Sequence, residues 1–234
     1  MRKIAYSILA VLVMAGTALT TSAQTEETRN VSGYTSIGSG GPFDVHIKID
    51  GTESLKIKGP ADAISQIETK VEGSNLEINW KDKWRNNGDK HWGKIDIYVT
   101  AKSLTGVALA GSGNMTVDGT VSGENVNVAL SGSGNLSAAV KGTDLHAAIS
   151  GSGSIHLDGS ADEAKISVSG SGSVNAKELK TNNANVNVAG SGNVYLIAEK
   201  SISGHIAGSG NVVYSGNATE EDIRTAGSGR VSKE

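Results

Sequence analysis

The chain has no cysteine, only two prolines and a single phenylalanine, and beyond its first two dozen residues it has no long apolar run. Without cysteine there is no disulfide framework, no thiolate metal site and no thiol nucleophile. An exported domain of this composition must therefore be held by packing and hydrogen bonds alone, for which 234 residues are ample. Five tyrosines and three tryptophans complete the aromatics, so small aliphatic side chains have to build the core. A basic excess is missing as well: 21 basic side chains stand against 24 acidic ones, and two of the basic ones, Arg2 and Lys3, belong to the leader. No general positive field exists, and no nucleic-acid partner is expected. What the chain has in quantity is glycine, 31 residues, which points to turns that need a permissive backbone.

The opening stretch, "MRKIAYSILAVLVMAGTALTTSAQ", joins two basic residues to an apolar run and a small-residue exit, Thr21-Ser22-Ala23. It reads as a signal peptide, residues 1–23, cleaved after Ala23. An uncleaved anchor is the alternative, because the run is nearly long enough to span a bilayer. With no cysteine after the run, a lipid anchor on an N-terminal cysteine is excluded. The mature protein is expected to be exported, without an integral membrane anchor.

The second half repeats one tripeptide. The pairs Gly111/Gly113, Gly132/Gly134, Gly151/Gly153, Gly170/Gly172, Gly190/Gly192, Gly208/Gly210 and Gly227/Gly229 each enclose a serine, at spacings of 21, 19, 19, 20, 18 and 19 residues. A sustained period of this length is the signature of a solenoid. A Gly/Ser linker would have polar flanks, whereas these flanks are apolar at even offsets from the first glycine. Two before it stand Leu109, Leu130, Ile149, Val168, Val188, Ile206 and Thr225; four after it stand Met115, Leu136, Ile155, Val174, Val194, Val212 and Val231. Period-two alternation is a half-buried strand. Unbroken parity puts both glycines on the inward side of a tight corner that has no room for a Cβ and calls for positive φ, with the serine outward. All fourteen glycines are therefore expected to be structural turn residues. The residue after each tripeptide (Asn114, Asn135, Ser154, Ser173, Asn193, Asn211) stacks at the ladder spacing and is suited to a side-chain hydrogen-bond column.

The expected fold is therefore all-β: a β-solenoid, or β-helix-like superhelix, of about seven GSG-centred coils. Residues 105–234 form the repeat and residues 24–104 a less regular N-terminal β region, opening coils and cap, in one continuous domain. The charged far sides of the coils, such as "LDGSADEA" and "AKELKTNNAN", read as solvated turns. The seventh copy, with Lys233 at an inward offset, reads as a frayed terminal coil. Gly38-Ser39-Gly40 resembles a diverged eighth tripeptide, and residues 59–73 fit either a helical turn or a bulged strand.

One loop, "NWKDKWRNNGDKHWGK" (79–94), holds all three tryptophans. Trp84, Arg85, His91 and Trp92 are the candidate ligand contacts, since aromatics among cations and amides stack on sugars or anchor partner proteins. Trp80 continues the alternation of Leu76 and Ile78 and reads as core, and Trp84 and Trp92 would equally pair across a hairpin.

Catalytic chemistry is not encoded in any recognisable pattern. There is no G-x-S-x-G elbow; His146, His156 and His205 fall in separate coils, so no metal site is expected; and no phosphate-binding loop or cofactor motif occurs. The outward residues before each corner (Ala108 and Ala110, Ala129 and Ser131, Ala148 and Ser150, Ser167 and Ser169) make a flat face of small side chains with no acid pair of the kind glycoside cleavage requires. A glycan-active enzyme is thus the weaker alternative to a non-enzyme, and the flat face is suited to an intra- or intersubunit contact.

Three stretches in order, "GPFDVHIKIDGTESLKIKGPADAISQIETKVEGSNLEI", "KIDIYVTAKSLTGVALAGSGNMTVDG" and the serial GSG[NS] coils, carry a resemblance. The chain resembles the bacterial family described as putative auto-transporter adhesin, head GIN domain, over about residues 30 to 232. The resemblance implies a β-helical superhelix with GSG turns, export in Gram-negative bacteria and adhesion, with no catalytic residues. No stalk or membrane barrel follows the last GSG, so the protein is expected in the periplasm, at the outer membrane or held at the surface by another protein. The expected role is a cell-envelope binding or adhesion module, with a glycan or an envelope or host surface protein as partner. A structural scaffold that forms a homo-oligomer through the Ala/Ser face is the alternative.

Overall fold

The computed structural model describes residues 24–81 and 92–234. The order of elements is β1 (Thr25–Arg29), β2 (Ser36–Gly40), β3 (Asp44–Ile49), β4 (Ser54–Gly59), α1 (Ala61–Ile64), β5 (Ile67–Glu72), β6 (Asn75–Trp80), β7 (Asp96–Ala101), β8 (Gly106–Gly111), β9 (Asn114–Gly132), β10 (Asn135–Gly151), β11 (Ser154–Gly170), β12 (Ser173–Gly190), β13 (Asn193–Gly208), β14 (Asn211–Ser215), β15 (Thr219–Gly227) and β16 (Arg230–Lys233). The fold is a β-solenoid of about seven turns. From β9 to β13 each strand is nearly a whole coil, paired in parallel with the next, and the GSG tripeptide makes the break between coils.

Two walls enclose the core. Residues that follow a corner build one, in the order β1-β4-β7-β3-β9-β10-β11-β12-β13-β14-β16. Residues that precede a corner build the other, in which β5, β6, β2 and β8 continue through the later halves of β9 to β13 to β15. The alternation read from the sequence holds: Val128, Leu130, Leu136 and Ala138 are buried, as are their counterparts as far as Ile206, Val212 and Tyr214, whereas in the last coil Ile223 and Val231 are half-buried and Thr225 and Lys233 exposed. One buried apolar cluster runs from Tyr34 and Phe43 to Tyr214 and Ala218.

The two glycines of a corner serve different ends, which corrects the expectation that both point inward and both take positive φ. Positive φ belongs to the first glycine alone: Gly111, Gly132, Gly151, Gly170, Gly190, Gly208 and Gly227 have it, whereas Gly113, Gly134, Gly153, Gly172, Gly192, Gly210 and Gly229 do not. The first glycine is also not inward. Gly132 is half-exposed, its φ is +119°, and its Cβ would lie 2.3 Å from the Gly111 oxygen, directed at the preceding coil. The missing space at Gly132 is thus between coils, not inside the bend.

The second glycine is required for space and not for its dihedral angles. Gly134 is buried, and a Cβ there would lie 2.2 Å from the Gly113 carbonyl oxygen and 3.0 Å from Leu109 Cδ2. Its counterparts are crowded in the same way by one carbonyl of the previous corner and one core side chain. At Gly172 these are the Gly153 oxygen (2.7 Å) and Ile149 Cγ2 (2.6 Å), and at Gly192 the Gly172 oxygen and Val168 Cγ1, both at 2.5 Å. At Gly210 and Gly229 the side chains are Val188 and Ile206, each 2.7 Å from the would-be Cβ. Gly172, Gly192 and Gly210 are buried as expected, but Gly229 is only half-buried, because no further coil stacks on the last corner.

The close approach of corners is used. The Gly111 carbonyl accepts the N–H groups of Ser133 (3.0 Å) and Gly134 (3.1 Å). The pair repeats at Gly132, Gly151, Gly190 and Gly208, where the second donors are Gly153, Gly172, Gly210 and Gly229. At Gly170 the bond comes from Ser191 alone, without Gly192.

Two other expectations are corrected and one open alternative is resolved. The far sides are not simply wet turns, because the ladder continues through them and Val121, Val140, Leu179, Thr181 and Ala198 are buried there. Gly38-Ser39-Gly40 is not a corner: it lies inside β2 with Ser39 opposite Ile78 and Leu109. Gly41-Pro42-Phe43 takes the corner position, with Gly41 N–H bonded to the Ala110 carbonyl and its own carbonyl oxygen 2.6 Å from where a Cβ on Gly111 would stand. Residues 59–73 resolve into α1, one turn after Pro60, followed by β5.

The terminal coil keeps its pairing through β15 and β16. Its Ile223 and Val231 approach the space left by Gly204, where an inward side chain is missing. At the other end, Tyr34 donates to the Thr100 carbonyl, and burial pushes its phenol up to about 12.

This packing sets the cost of added atoms. Gly134→Val and Gly153→Val should each cost about 3 kcal/mol or more, because backbone must move, lowering the melting temperature measured by circular dichroism; Gly38→Ala, with nothing nearer than 3.8 Å, should leave it within about 2 °C. The Ser39 hydroxyl is buried without a hydrogen-bond partner among the described residues, so Ser39→Ala should be neutral or stabilising by about 1 kcal/mol in urea denaturation.

Candidate functional site

The outer surface of the pre-corner wall carries the clearest candidate site. Pairing places one row across nine strands, Glu77, Gly38, Ala108, Ala129, Ala148, Ser167, Asn187, His205 and Arg224, each the direct neighbour of the next. A second row two residues on reads Asn79, Gly40, Ala110, Ser131, Ser150, Ser169, Ala189, Ala207 and Ala226. Because side chains on this face are small while those at its two ends are long, the wall is a shallow groove of about 900 Å³ rather than a flat plane.

The floor has a gradient. In the central row the side chain grows steadily from hydrogen at Gly38, through methyl groups at Ala108, Ala129 and Ala148, to Ser167, Asn187 and His205. The ends differ in charge. Among the described residues Glu77 is the single carboxylate lining the groove, and it accepts from Asn75 Nδ2 at 3.2 Å. At the far end Arg224 Nε donates to Asp222 at 2.9 Å, and His205 Nε2 stands 3.8 Å from the same carboxylate. Beyond Glu77 the groove continues into a smaller hollow of about 540 Å³ lined by Glu68, Lys70, Glu72 and Trp80.

The post-corner wall is different in kind, with a polar column along its outer surface. Asn135 donates to Asn114 (2.9 Å), Asn114 to Asp44 (2.7 Å), and Asn211 to Asn193 (3.2 Å). The column expected from the sequence is present in these two segments and is interrupted where Ser154 and Ser173 replace asparagine. Near its start, Asp96 lies 2.9 Å from Lys94 Nζ and 3.3 Å from His46 Nε2. Burial pushes the Asp96 carboxyl up, but the bonds from Lys94 and His46 outweigh it and hold it below its ordinary value. Lys94 is raised in turn by its bond to Asp96. His46 on β3 and Asp96 on β7 are thereby tied, with the exposed Lys94 and His46 side chains over the buried Asp96 carboxylate.

Of the sequence-derived contacts, Trp92 alone falls among the described residues. Trp84, Arg85 and His91 lie outside the described residues, as does the leader. Trp92 is half-buried against the core, its ring 5.7 Å from Trp80, which packs 5.0 Å from Phe43. Trp92 thus pairs with Trp80, and Trp80 is core as its alternation indicated. His146, His156 and His205 stand in separate strands, and no group of three potential metal ligands occurs among the described residues. What the sequence left out is the N-terminal end of the groove. Gly38 and Glu77 belong to strands outside the repeat, and only the pairing of β6 and β2 with β8 brings them into line with Ala108.

With fold and groove in view, comparison with known proteins is direct. The model of the family described as putative auto-transporter adhesin, head GIN domain, matches residues 33–218. The chain belongs to this family. A solved structure described as a putative adhesin from Bacteroides fragilis is 22% identical, with 91% of this chain and 97% of that chain covered and a TM-score of 0.83. A putative lipid binding protein from Parabacteroides distasonis is 22% identical over 92% of this chain and 98% of that one, at a TM-score of 0.71. A putative adhesin from Parabacteroides merdae is 20% identical over 92% and 97%, also at 0.71. At these identities the likeness shows a shared fold. No curated protein matches the chain. Among the described residues no helix is long and apolar enough to cross a membrane.

The Trp80–Trp92–Phe43 cluster yields a stability prediction. Trp92→Ala should destabilise the domain by about 2 kcal/mol, less than a fully buried tryptophan would, and quench the shift between native and unfolded tryptophan emission. An unchanged urea midpoint would show that Trp92 is not part of the packing.

Proposed function

We propose that the protein is an exported, non-enzymatic adhesion module of the cell envelope, and that it makes contact through the groove of the pre-corner wall. One observation carries this reading: an exposed face of nine strands whose middle is alanine, serine and glycine, closed at its ends by longer polar and charged side chains. Such a floor offers close approach to a partner backbone or polymer with little side-chain entropy to lose. The membership in an adhesin family and the likeness to structures described as putative adhesins point the same way. Among the described residues a single lining carboxylate, Glu77, suits binding better than acid–base cleavage, which takes a pair a few ångströms apart. Export rests on the leader, residues 1–23. Of the contacts expected from the sequence, Trp92 packs against Trp80, and Trp84, Arg85 and His91 lie outside the described residues.

The test is binding of labelled purified protein to intact cells of the producing bacterium. Ala148→Lys, at the centre of the floor and exposed, should lower binding at least tenfold with the circular dichroism spectrum unchanged. Asn135→Lys on the opposite wall should bind as the parent does. Equal binding by the parent and Ala148→Lys would refute the groove as the contact surface.

A further inference from the structure

We infer that the occupant of the groove is the groove of a second copy, laid face to face with the stacks running in opposite directions. This rests on the groove being the contact surface, and it follows from the order of side chains along the floor. A two-fold axis lying in the interface, parallel to the strands and passing through Ala148, pairs the row with its own reverse. Ala129 then meets Ser167 of the second copy and Ala108 meets Asn187. Gly38, where the floor is deepest, meets His205, the largest floor side chain, and Glu77 meets Arg224.

Each of these pairings is complementary for a physical reason. The floor is a wedge, rising from Gly38 to His205, and two wedges leave a constant gap only when stacked head to tail. In the parallel arrangement the deep ends would face each other across a void while His205 met His205 and Arg224 met Arg224. Charge gives the same answer, because among the described residues the one carboxylate of the lining and its one guanidinium sit at opposite ends, each four strands from the axis. Glu77 is bonded to the neutral Asn75 amide and keeps its charge, whereas Arg224 is ion-paired with Asp222, so in the dimer its guanidinium is shared between Asp222 and Glu77 of the second copy. Within the two rows the middle of the face is alanine and serine, which let two sheets come closer than ordinary sheet packing allows, while His146 and Lys165 stand in the next row along the strands.

The area is sufficient for a specific but reversible contact. Nine strands about 4.8 Å apart make a face about 40 Å long, and its two rows, each taking about 6.7 Å of strand, make it about 13 Å wide. That is about 500 Å² on each copy and about 1,000 Å² in all, at the lower bound for a specific interface. The dimer should therefore be concentration-dependent, as suits a module that joins molecules on apposed surfaces.

Sedimentation equilibrium over a range of concentrations reads this directly. The parent should titrate from monomer to dimer, and Ala148→Lys, which puts two ammonium groups on the axis, should stay monomeric. Glu77→Arg and Arg224→Glu should each weaken the dimer at least tenfold, and the double variant should recover it. The absence of native cysteine permits a geometric check: Gly38→Cys and His205→Cys proteins should form a disulfide-linked dimer when mixed and oxidised, and little when oxidised alone. Cross-linking of Gly38→Cys with itself would refute the antiparallel arrangement. A parent that remains monomeric at every concentration, while Ala148→Lys still loses cell binding, would refute the second copy as occupant and leave the groove to a glycan, lipid or other protein. A dimer abolished by Ala148→Lys without loss of cell binding would instead refute the adhesive role and leave the dimer standing.

Discussion

The structure depends on one close approach: the carbonyl of a corner glycine on one coil against the bare backbone of the next. Gly111 accepts two N–H groups from the following corner, and this is sterically open only because the residues above it carry no Cβ. Once that contact is made, the residues on either side of each corner are fixed in register, and parallel pairing extends along the coil. The core then needs no large side chains. Rows of valine, leucine, isoleucine and alanine stack on themselves at the ladder spacing, which is why so few aromatics suffice: Phe43, Trp80 and Trp92 cluster toward the N-terminal end, and Tyr214 is buried in the last coils.

The same constraint divides the surface into two unlike walls. After a corner, asparagines at one outward position bond to one another in two segments of a column that faces water. Before a corner the outward residues in the middle of the stack are alanine and serine, which project little. Stacking seven such coils turns a local preference into a long feature, so that a choice of small residues at one repeat offset becomes a groove. In a solenoid, a binding surface is written once per coil and read along the axis, and the gradient from Gly38 to His205 is the one-residue-per-rung form of that writing.

Much of this was legible in the chain because it recurs. Apolar residues at even offsets gave the inward rows, the tripeptide gave the corners, and alanine and serine at odd offsets gave the small-residue face. The parity argument held for the second glycines, Gly134, Gly153, Gly172, Gly192 and Gly210, which are buried, though without the positive φ expected of them. It failed at Gly132, because alternation describes which side of a strand a residue takes and says nothing of a residue whose positive φ turns its missing side chain along the stack. It failed again at Gly38-Ser39-Gly40, where the letters match a corner but the strand's neighbours, Ile78 and Leu109, are core. Buried positions on the far sides were hidden by the charges around them. The N-terminal end of the groove was hidden most completely, since no repeat announces that β6 and β2 pair in parallel beside β8.

The central claim is that corner backbones are bonded coil to coil although their serines face water. Hydrogen exchange resolved by NMR measures this residue by residue. The amides of Ser133, Gly134, Ser152 and Gly153 should exchange as slowly as those of Val128 and Leu136 in the strands they join. Exchange at these four positions as fast as at the exposed turn residue Gly73 would show that the corners are open loops, and would contradict the account.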